Sequence, residues 1–245
     1  MRRAASQPHP SPVPDIHLLD DPIWNSLKTK HAALALGSGL ARRYPAAIGP
    51  LSGLADQSDA AYEDLRTLAE PGGVVVLFLQ QPPVARHGWT IVREGPLTQM
   101  ICLQPADAVQ VMLPAGAKMR RLSAADAPAM VELATLTEPG PFRERTHELG
   151  LFLGIFHGDK LVSMAGQRTR IPGFVEVSAV CTHPDARGKG YARTLMLAIM
   201  DDIRSTGDTP YLHAWADNHS AIRVYRDLGY THRHTLYAAA LRNDR

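Results

Sequence analysis

In VSAVCTHPDARGKGYARTLMLAIMDDIR, residues 177–204, a β-branched run leads through a proline turn and a loop with glycines at 188 and 190 into a helical pattern. Ala192, Leu195, Met196, Ile199 and Ile203 fall at i, i+3, i+4, i+7 and i+11, so one face of that helix is apolar and must be buried against a sheet. A strand that feeds a helix through such a loop restricts this part of the chain to an α/β architecture. It also sets glycine-flanked main-chain N–H groups at a helix N-terminus, where the free donors and the positive dipole end favour an anion. The spacing lacks the third glycine of a dinucleotide fingerprint and the Gly-Lys-Ser/Thr of a P-loop. A glycine turn with Arg187 and Lys189 merely solvated is the plainer alternative at this point.

Charge and cysteine content narrow the partners. Lys plus Arg number 26 against 24 Asp plus Glu, far from the basic excess of a nucleic-acid binder, so no nucleic-acid partner is expected. With two distant cysteines, Cys102 and Cys181, and no leader or long apolar span, the chain reads as a cytoplasmic protein with free thiols and no membrane partner. Residues 1–14 alternate proline with small polar residues and read as a disordered tail. Eleven histidines are scattered; His232 and His234 share a strand face but lack a third ligand, so no metal is expected.

Two segments follow the tail. Over 15–115 the pattern predicts a smaller α/β domain: broken helical stretches over 31–55, a helix through Ala61, Leu65 and Leu68, a buried strand at VVVLFLQ, and a hairpin turning at Gly95-Pro96. LPAGAK, residues 113–118, reads as the linker. Over 116–245 come a short strand, a helix with Ser123 as N-cap and Asp126 closing an imperfect capping box, a hairpin with His157-Gly158-Asp159 at its turn, and the strand FVEVSAVCT before the glycine loop. After the loop helix, PYLHAWADN alternates as a strand, and NHSAIRVYRDLGY runs as a helix from an Asn218 N-cap to a stop at Gly229.

Arg187, Gly190 and Ala192 match an Arg/Gln-x-x-Gly-x-Gly/Ala loop, and Asn218, Ala221, Tyr225 and Gly229-Tyr230 match Asn-x-x-Ala-x-x-x-Tyr-x-x-x-Gly-Phe/Tyr. With these two ordered motifs the second half of the chain resembles the GCN5-related N-acetyltransferase (GNAT) superfamily, and VCTHPDARGKGYA looks most like its FR47-type branch. The resemblance implies a mixed, mostly antiparallel central sheet flanked by helices over 116–245, with the first domain readable as a degenerate copy, a wall of the substrate pocket or a dimer contact. It implies acetyl-CoA as co-substrate, its diphosphate held by Arg187, Gly188, Lys189, Gly190, Tyr191, Ala192 and Arg193. The main chain at Val180, Cys181 and Thr182 would pair with the pantetheine and the thioester oxygen, and Asn218 and Ala221 would border the same ligand.

The implied reaction is direct transfer of the acyl group to a primary amine, which needs a neutral amine, a stabilised carbonyl oxygen and a proton for the departing sulfur. By resemblance Tyr225 supplies that proton and Glu176, directly or through water, is the base, with His183 a rival. Cys181 reads as a small apolar filler rather than an acyl carrier. A small amine or amino-acid-like acceptor and a homodimer complete the expected partners. Residues 135–148, with Glu138 and Glu144, fall where relatives put a substrate-facing segment. A catalytically silent acyl-CoA-binding protein is the alternative, favoured if the first domain blocks the amine pocket.

Overall fold

The computed structural model describes residues 16–104, 113 and 116–245. The expected tail over 1–14 lies outside the described residues, as do residues 114 and 115 of the expected linker. In chain order the described elements are α1 (Pro22–Lys28), β1 (Ala41–Arg43), β2 (Ser52–Leu54), α2 (Asp59–Leu68), β3 (Val74–Leu79) and β4 (Trp89–Ile101). The second half adds β5 (Ala117–Arg121), α3 (Ala127–Thr137), β6 (Phe152–His157), β7 (Lys160–Ile171), β8 (Phe174–Thr182), α4 (Tyr191–Ser205), β9 (Thr209–Trp215), α5 (His219–Asp227) and β10 (Thr231–Asn243).

Eight strands form one sheet in the order β3-β10-β4-β9-β8-β7-β6-β5, antiparallel except where β8 meets β9. The mixed, mostly antiparallel sheet expected for the second half is thus present. It also takes in β3 and β4 from the first half, and β4 lies between β9 and β10. Strands from both sides of the residue-115 boundary therefore share their ladders.

Local signals account for the helices. Ser58 accepts from Ala61 N at 3.2 Å to start α2, and Ser123 N donates to Asp126 at 2.9 Å in the expected capping box, although a 3₁₀ turn over Ala124–Asp126 precedes α3. Along α4 the expected stripe is buried: Leu195, Met196, Ile199 and Ile203 are at most 1% exposed, with Met200 added and Ala192 only half-buried. Each large apolar side chain so buried contributes about 1.5–3 kcal/mol, enough to fix the helix against β7 and β8.

Two expectations in the first half are corrected. Gly95-Pro96 is not a turn, because β4 runs straight through it. Pro96 O accepts from Ala216 N at 3.0 Å, so its missing N–H faces the β9 side and no bond to β10 is lost. Gly95 lets Trp215 lie on the strand, a Cβ there coming within 3.1 Å of the indole. The helical stretches expected over 31–55 reduce to a 3₁₀ turn at Ala32–Leu34, with Ala41–Arg43 and Ser52–Leu54 pairing as β1 and β2 and the remainder in turns and irregular chain. Buried Tyr44 and Ile48 anchor that segment on α1.

The candidate active site

Strands β8 and β9 pair only over Phe174–Glu176 and Thr209–Tyr211. Beyond that point they diverge, and the opening between them leads to the start of α4. The divergence coincides with a bulge in β8. Met164 faces Cys181 while Gly166 faces Ser178, so Ala179 and Val180 together oppose Ala165. Ala179 takes a left-handed φ of 53°, a strained choice for a residue with a Cβ. The slip reverses the strand's facing: Val175 and Val177 join the α4 core, whereas Ala179 and Cys181 join the α3 core.

At the mouth of the opening, Gly188 and Gly190 have φ of 76° and 77°, and a Cβ on either would meet nothing within 4 Å. Only glycine holds this backbone without strain. The first helical bond of α4 is Thr194 N to Gly190 O at 3.0 Å. Among the described residues the main-chain N–H groups of 188 to 193 have no acceptor, so a run of donors faces open space at the positive end of the helix. Arg187, Lys189 and Arg193 have no acidic partner among the described residues.

A cavity of about 510 Å³ joins this loop to the strand opening. It brings together Val180, Cys181, Thr182, Arg187, Gly188, Gly190, Tyr191, Ala192, Arg193, Asn218, Ala221 and Tyr225, all named from the sequence; Lys189 stays outside the wall. Asn218 caps α5, its Oδ1 accepting from Ala221 N at 3.2 Å. Burial pushes the Cys181 thiol up to about 11, which leaves it a neutral filler at physiological pH.

Beyond Tyr225 a second cavity of about 680 Å³ begins, sharing Val180, Asn218, Ala221 and Tyr225 with the first. Phe78 and Arg93 of the first half, the α3–β6 connection and Trp215 of β9 wall it. The first half thus shapes this cleft without closing it. Tyr225 stands where the two cavities meet. Its hydroxyl has no hydrogen-bond partner among the described residues, and burial pushes its phenol up to about 12. Glu138 reaches the cleft wall and Glu144 does not.

Glu176 is fully buried beneath the cleft. Arg168 clamps its carboxylate through Nη2 at 2.5 Å and Nε at 2.9 Å, Thr169 Oγ1 donates at 2.6 Å, and His213 Nδ1 donates at 2.6 Å. Burial opposes the charge, but Arg168 and His213 override it and hold this carboxyl well below the usual carboxylate range. Nor does His213 offer a free base: burial lowers its pKa, and its Nε2 accepts from Gln99 Nε2 at 2.9 Å. His183 lies off both cavity walls, its ring bonded to Lys160 Nζ at 3.3 Å and to Asp185 N at 3.3 Å. No cluster of three metal-ligating side chains occurs among the described residues.

Sequence reasoning missed Arg168 and His213 because their roles come from cross-strand neighbours rather than from spacing. Glu176→Gln leaves the buried Arg168 without a counter-charge and is expected to cost about 3–5 kcal/mol in denaturant unfolding; a loss below about 1 kcal/mol would contradict the buried pair. The pH dependence has a fixed sign. Glu176 is depressed when folded, so its contribution is complete above the unfolded value of 4.5 and is lost as pH falls below it. His213, depressed from 6.5, loses stability in the same direction. Acid unfolding of wild type should therefore be steeper than that of Glu176→Gln.

A family model described as FR47-like protein matches residues 152–238, which span β6 to most of β10. A mycothiol acetyltransferase of Actinosynnema mirum is 32% identical over 83 residues, covering 34% of this chain and 28% of that protein, so the match spans under a third of that relative. Over nearly the whole length the chain is similar to a GNAT-family structure from Novosphingobium aromaticivorans, with 36% identity, a TM-score of 0.82, and coverage of 92% of this chain and 98% of that one. A GCN5-related N-acetyltransferase from Kribbella flavida shares the fold at 19% identity and a TM-score of 0.57, covering 90% and 93%.

Proposed function

Because this chain belongs to the GNAT superfamily, in its FR47-like branch, and is an N-acyltransferase of that kind, we propose that it transfers the acetyl group of acetyl-CoA directly to a primary amine. The observation that carries this reading is the run of unpartnered N–H groups over 188–193 at the start of α4, opening on the gap between β8 and β9. The residues present fit the ligand. A diphosphate meets main-chain donors beside Gly188 and Gly190, which carry no Cβ, with Arg187 and Arg193 as counter-charges, and a slot of about 510 Å³ continues toward Tyr225.

When bound, acetyl-CoA supplies an acyl group activated as a thioester. The chain's own residues do the rest. The N–H groups of 188–193 hold the diphosphate, and the main chain at Val180, Cys181 and Thr182, freed from regular pairing by the bulge and the divergence, orients the acyl carbonyl and takes up charge on its oxygen. A neutral amine in the second cavity attacks the carbonyl carbon; the C–N bond forms, the C–S bond breaks, and the sulfur leaves as a thiolate that accepts a hydrogen bond from the Tyr225 hydroxyl, which keeps its proton. With Glu176 and His213 both engaged, the amine gives its proton to water in the open cleft. Glu176 acts as a positioning group: it clamps Arg168 and fixes the Nδ1–H tautomer of His213.

Titration calorimetry with acetyl-CoA, paired with a thiol-release assay over an amine panel, tests the reading. Wild type should bind acetyl-CoA and release free thiol only when an amine is present. Gly190→Ala should weaken binding by roughly tenfold, since left-handed backbone costs about 1–2 kcal/mol with a Cβ and its relief turns the loop amides off the ligand. Binding without release for any amine would indicate a silent binder; absence of binding would reject the reading.

A further inference from the structure

The cleft beyond Tyr225 is rich in guanidinium groups. Arg93, Arg143 and Arg168 line it together with Phe78, Trp215 and Glu138. Arg93 stands over Trp215, its guanidinium carbon 4.7 Å from the ring centre, an arrangement that holds the cation at the cleft rim. The guanidinium of Arg143, on the connection after α3, donates from Nη1 to the Phe142 carbonyl at 3.4 Å and to no other group among the described residues. Among the described residues neither has an acidic partner.

Arg168 differs from both. Its side chain is 10% exposed, and Nε and Nη2 are spent on Glu176. Nη1 has no acceptor among the described residues and lies 4.0 Å from where a Cβ of Gly140 would stand, on the cleft wall. A guanidinium clamped on one edge by a buried carboxylate presents its other edge in a fixed direction, which is the preorganisation an oxyanion needs. Such a clamp is costly to build for packing alone, since a buried ion pair contributes little net stability over apolar residues.

The charge count selects the ligand. Glu176 offsets Arg168, and Glu138 is the remaining acid on the wall, so Arg93 and Arg143 leave an excess of about one positive charge there. That balance suits a monoanion better than a phosphate dianion. Building on the acetyltransfer reading above, we infer that the acceptor is a small amine bearing a carboxylate, of the α-amino-acid kind. Arg168 Nη1 and Arg143 hold the carboxylate, and Arg93, stacked on Trp215, closes the open side.

Thiol release is compared for matched acceptors: free α-amino acids, their carboxamides, and amines carrying a phosphate monoester. Carboxamides are a stringent control. Their α-ammonium group loses its proton more readily, which by itself would favour them over the acids. The expected result is a kcat/KM for the acids at least about tenfold above that of the carboxamides, in line with a charge-assisted hydrogen bond. In Arg143→Gln and Arg93→Gln that ratio should fall toward one, mainly through KM, while calorimetric affinity for acetyl-CoA holds. Equal or better use of carboxamides or phosphorylated amines, with thiol still released, overturns the inference and leaves acetyltransfer standing. Variants that lower acid and carboxamide turnover equally overturn it as well. Absence of acetyl-CoA binding and of thiol release with every acceptor removes both.

Discussion

Tyr225→Phe should lower kcat by about 10²-fold, the lower end of what proton transfer by a positioned side chain supplies, while the dissociation constant for acetyl-CoA stays within about twofold. The hydroxyl stands at the junction of the two cavities and has no competing partner among the described residues, so none of them draws it away from a sulfur at that junction. Its raised pKa of about 12 has two consequences. The phenol stays protonated at every pH at which the enzyme can be assayed, so Tyr225 contributes no basic limb to the kcat profile below about pH 10. A donor this weak is also about three units less acidic than an ordinary thiol, which makes complete transfer to a thiolate unfavourable. In the proposed mechanism Tyr225 therefore acts chiefly by hydrogen bonding to sulfur as charge develops, and this places the expected effect at the low end. Phenylalanine keeps the edge contact with Tyr230, whose ring centre lies 6.2 Å away, so the fold should survive the change. A Tyr225→Phe protein within about threefold of wild type in kcat would remove the acid from the mechanism, and equal losses in kcat and affinity would make the residue a packing group.

The features that sequence alone conveys are those decided by near neighbours. The α4 stripe, the Asn218 cap, the turn at Gly158 and the glycine loop each depend on residues within a few positions of one another, and each stands where spacing places it. Gly95-Pro96 reads as a turn because both residues are turn formers, but their conformation is decided by β10 on one side and Trp215 on the other. Ala179 carries no bulge signature at all; the left-handed residue that opens the site is imposed by cores on opposite faces of β8. Glu176 is visible as a strand carboxylate, but its partners come from β7 and β9, and what they do to it reverses the role a lone glutamate would suggest. The arginines of the second cleft come from β4, β7 and the α3–β6 connection, so no window of sequence contains them together.

The segment 116–245, produced without the first half, should fail to fold although it contains every residue of the glycine loop and both sequence motifs. In the intact chain β10 is sandwiched between β3 and β4, paired to one from Tyr237↔Leu79 to Arg242↔Val74 and to the other from Thr231↔Ile101 to Asn243↔Trp89. Both partners lie before residue 115. Without them β10 has no neighbour on either side, and β9 keeps only its short parallel contact with β8. Unmade ladders are one cost. Another is apolar: Leu236, Ala239 and Leu241 would be uncovered, and burying each leucine is worth about 1.5–3 kcal/mol. A third is the tie at the chain's end, where Asn243 Nδ2 donates to Ala69 O at 3.0 Å beyond α2. Together these are of the order of the roughly 5–15 kcal/mol by which a domain is ordinarily stable. The fragment is expected in inclusion bodies, or in solution without a cooperative thermal transition by circular dichroism, and co-expression with residues 1–115 should return a soluble complex that binds acetyl-CoA. A fragment that melts cooperatively and binds acetyl-CoA alone would show that the shared sheet is dispensable. Failure of the fragment with rescue by the separate first half would mean that β3 and β4 complete the catalytic sheet itself, and that the wall they give the second cavity at Phe78 and Arg93 is inseparable from the fold.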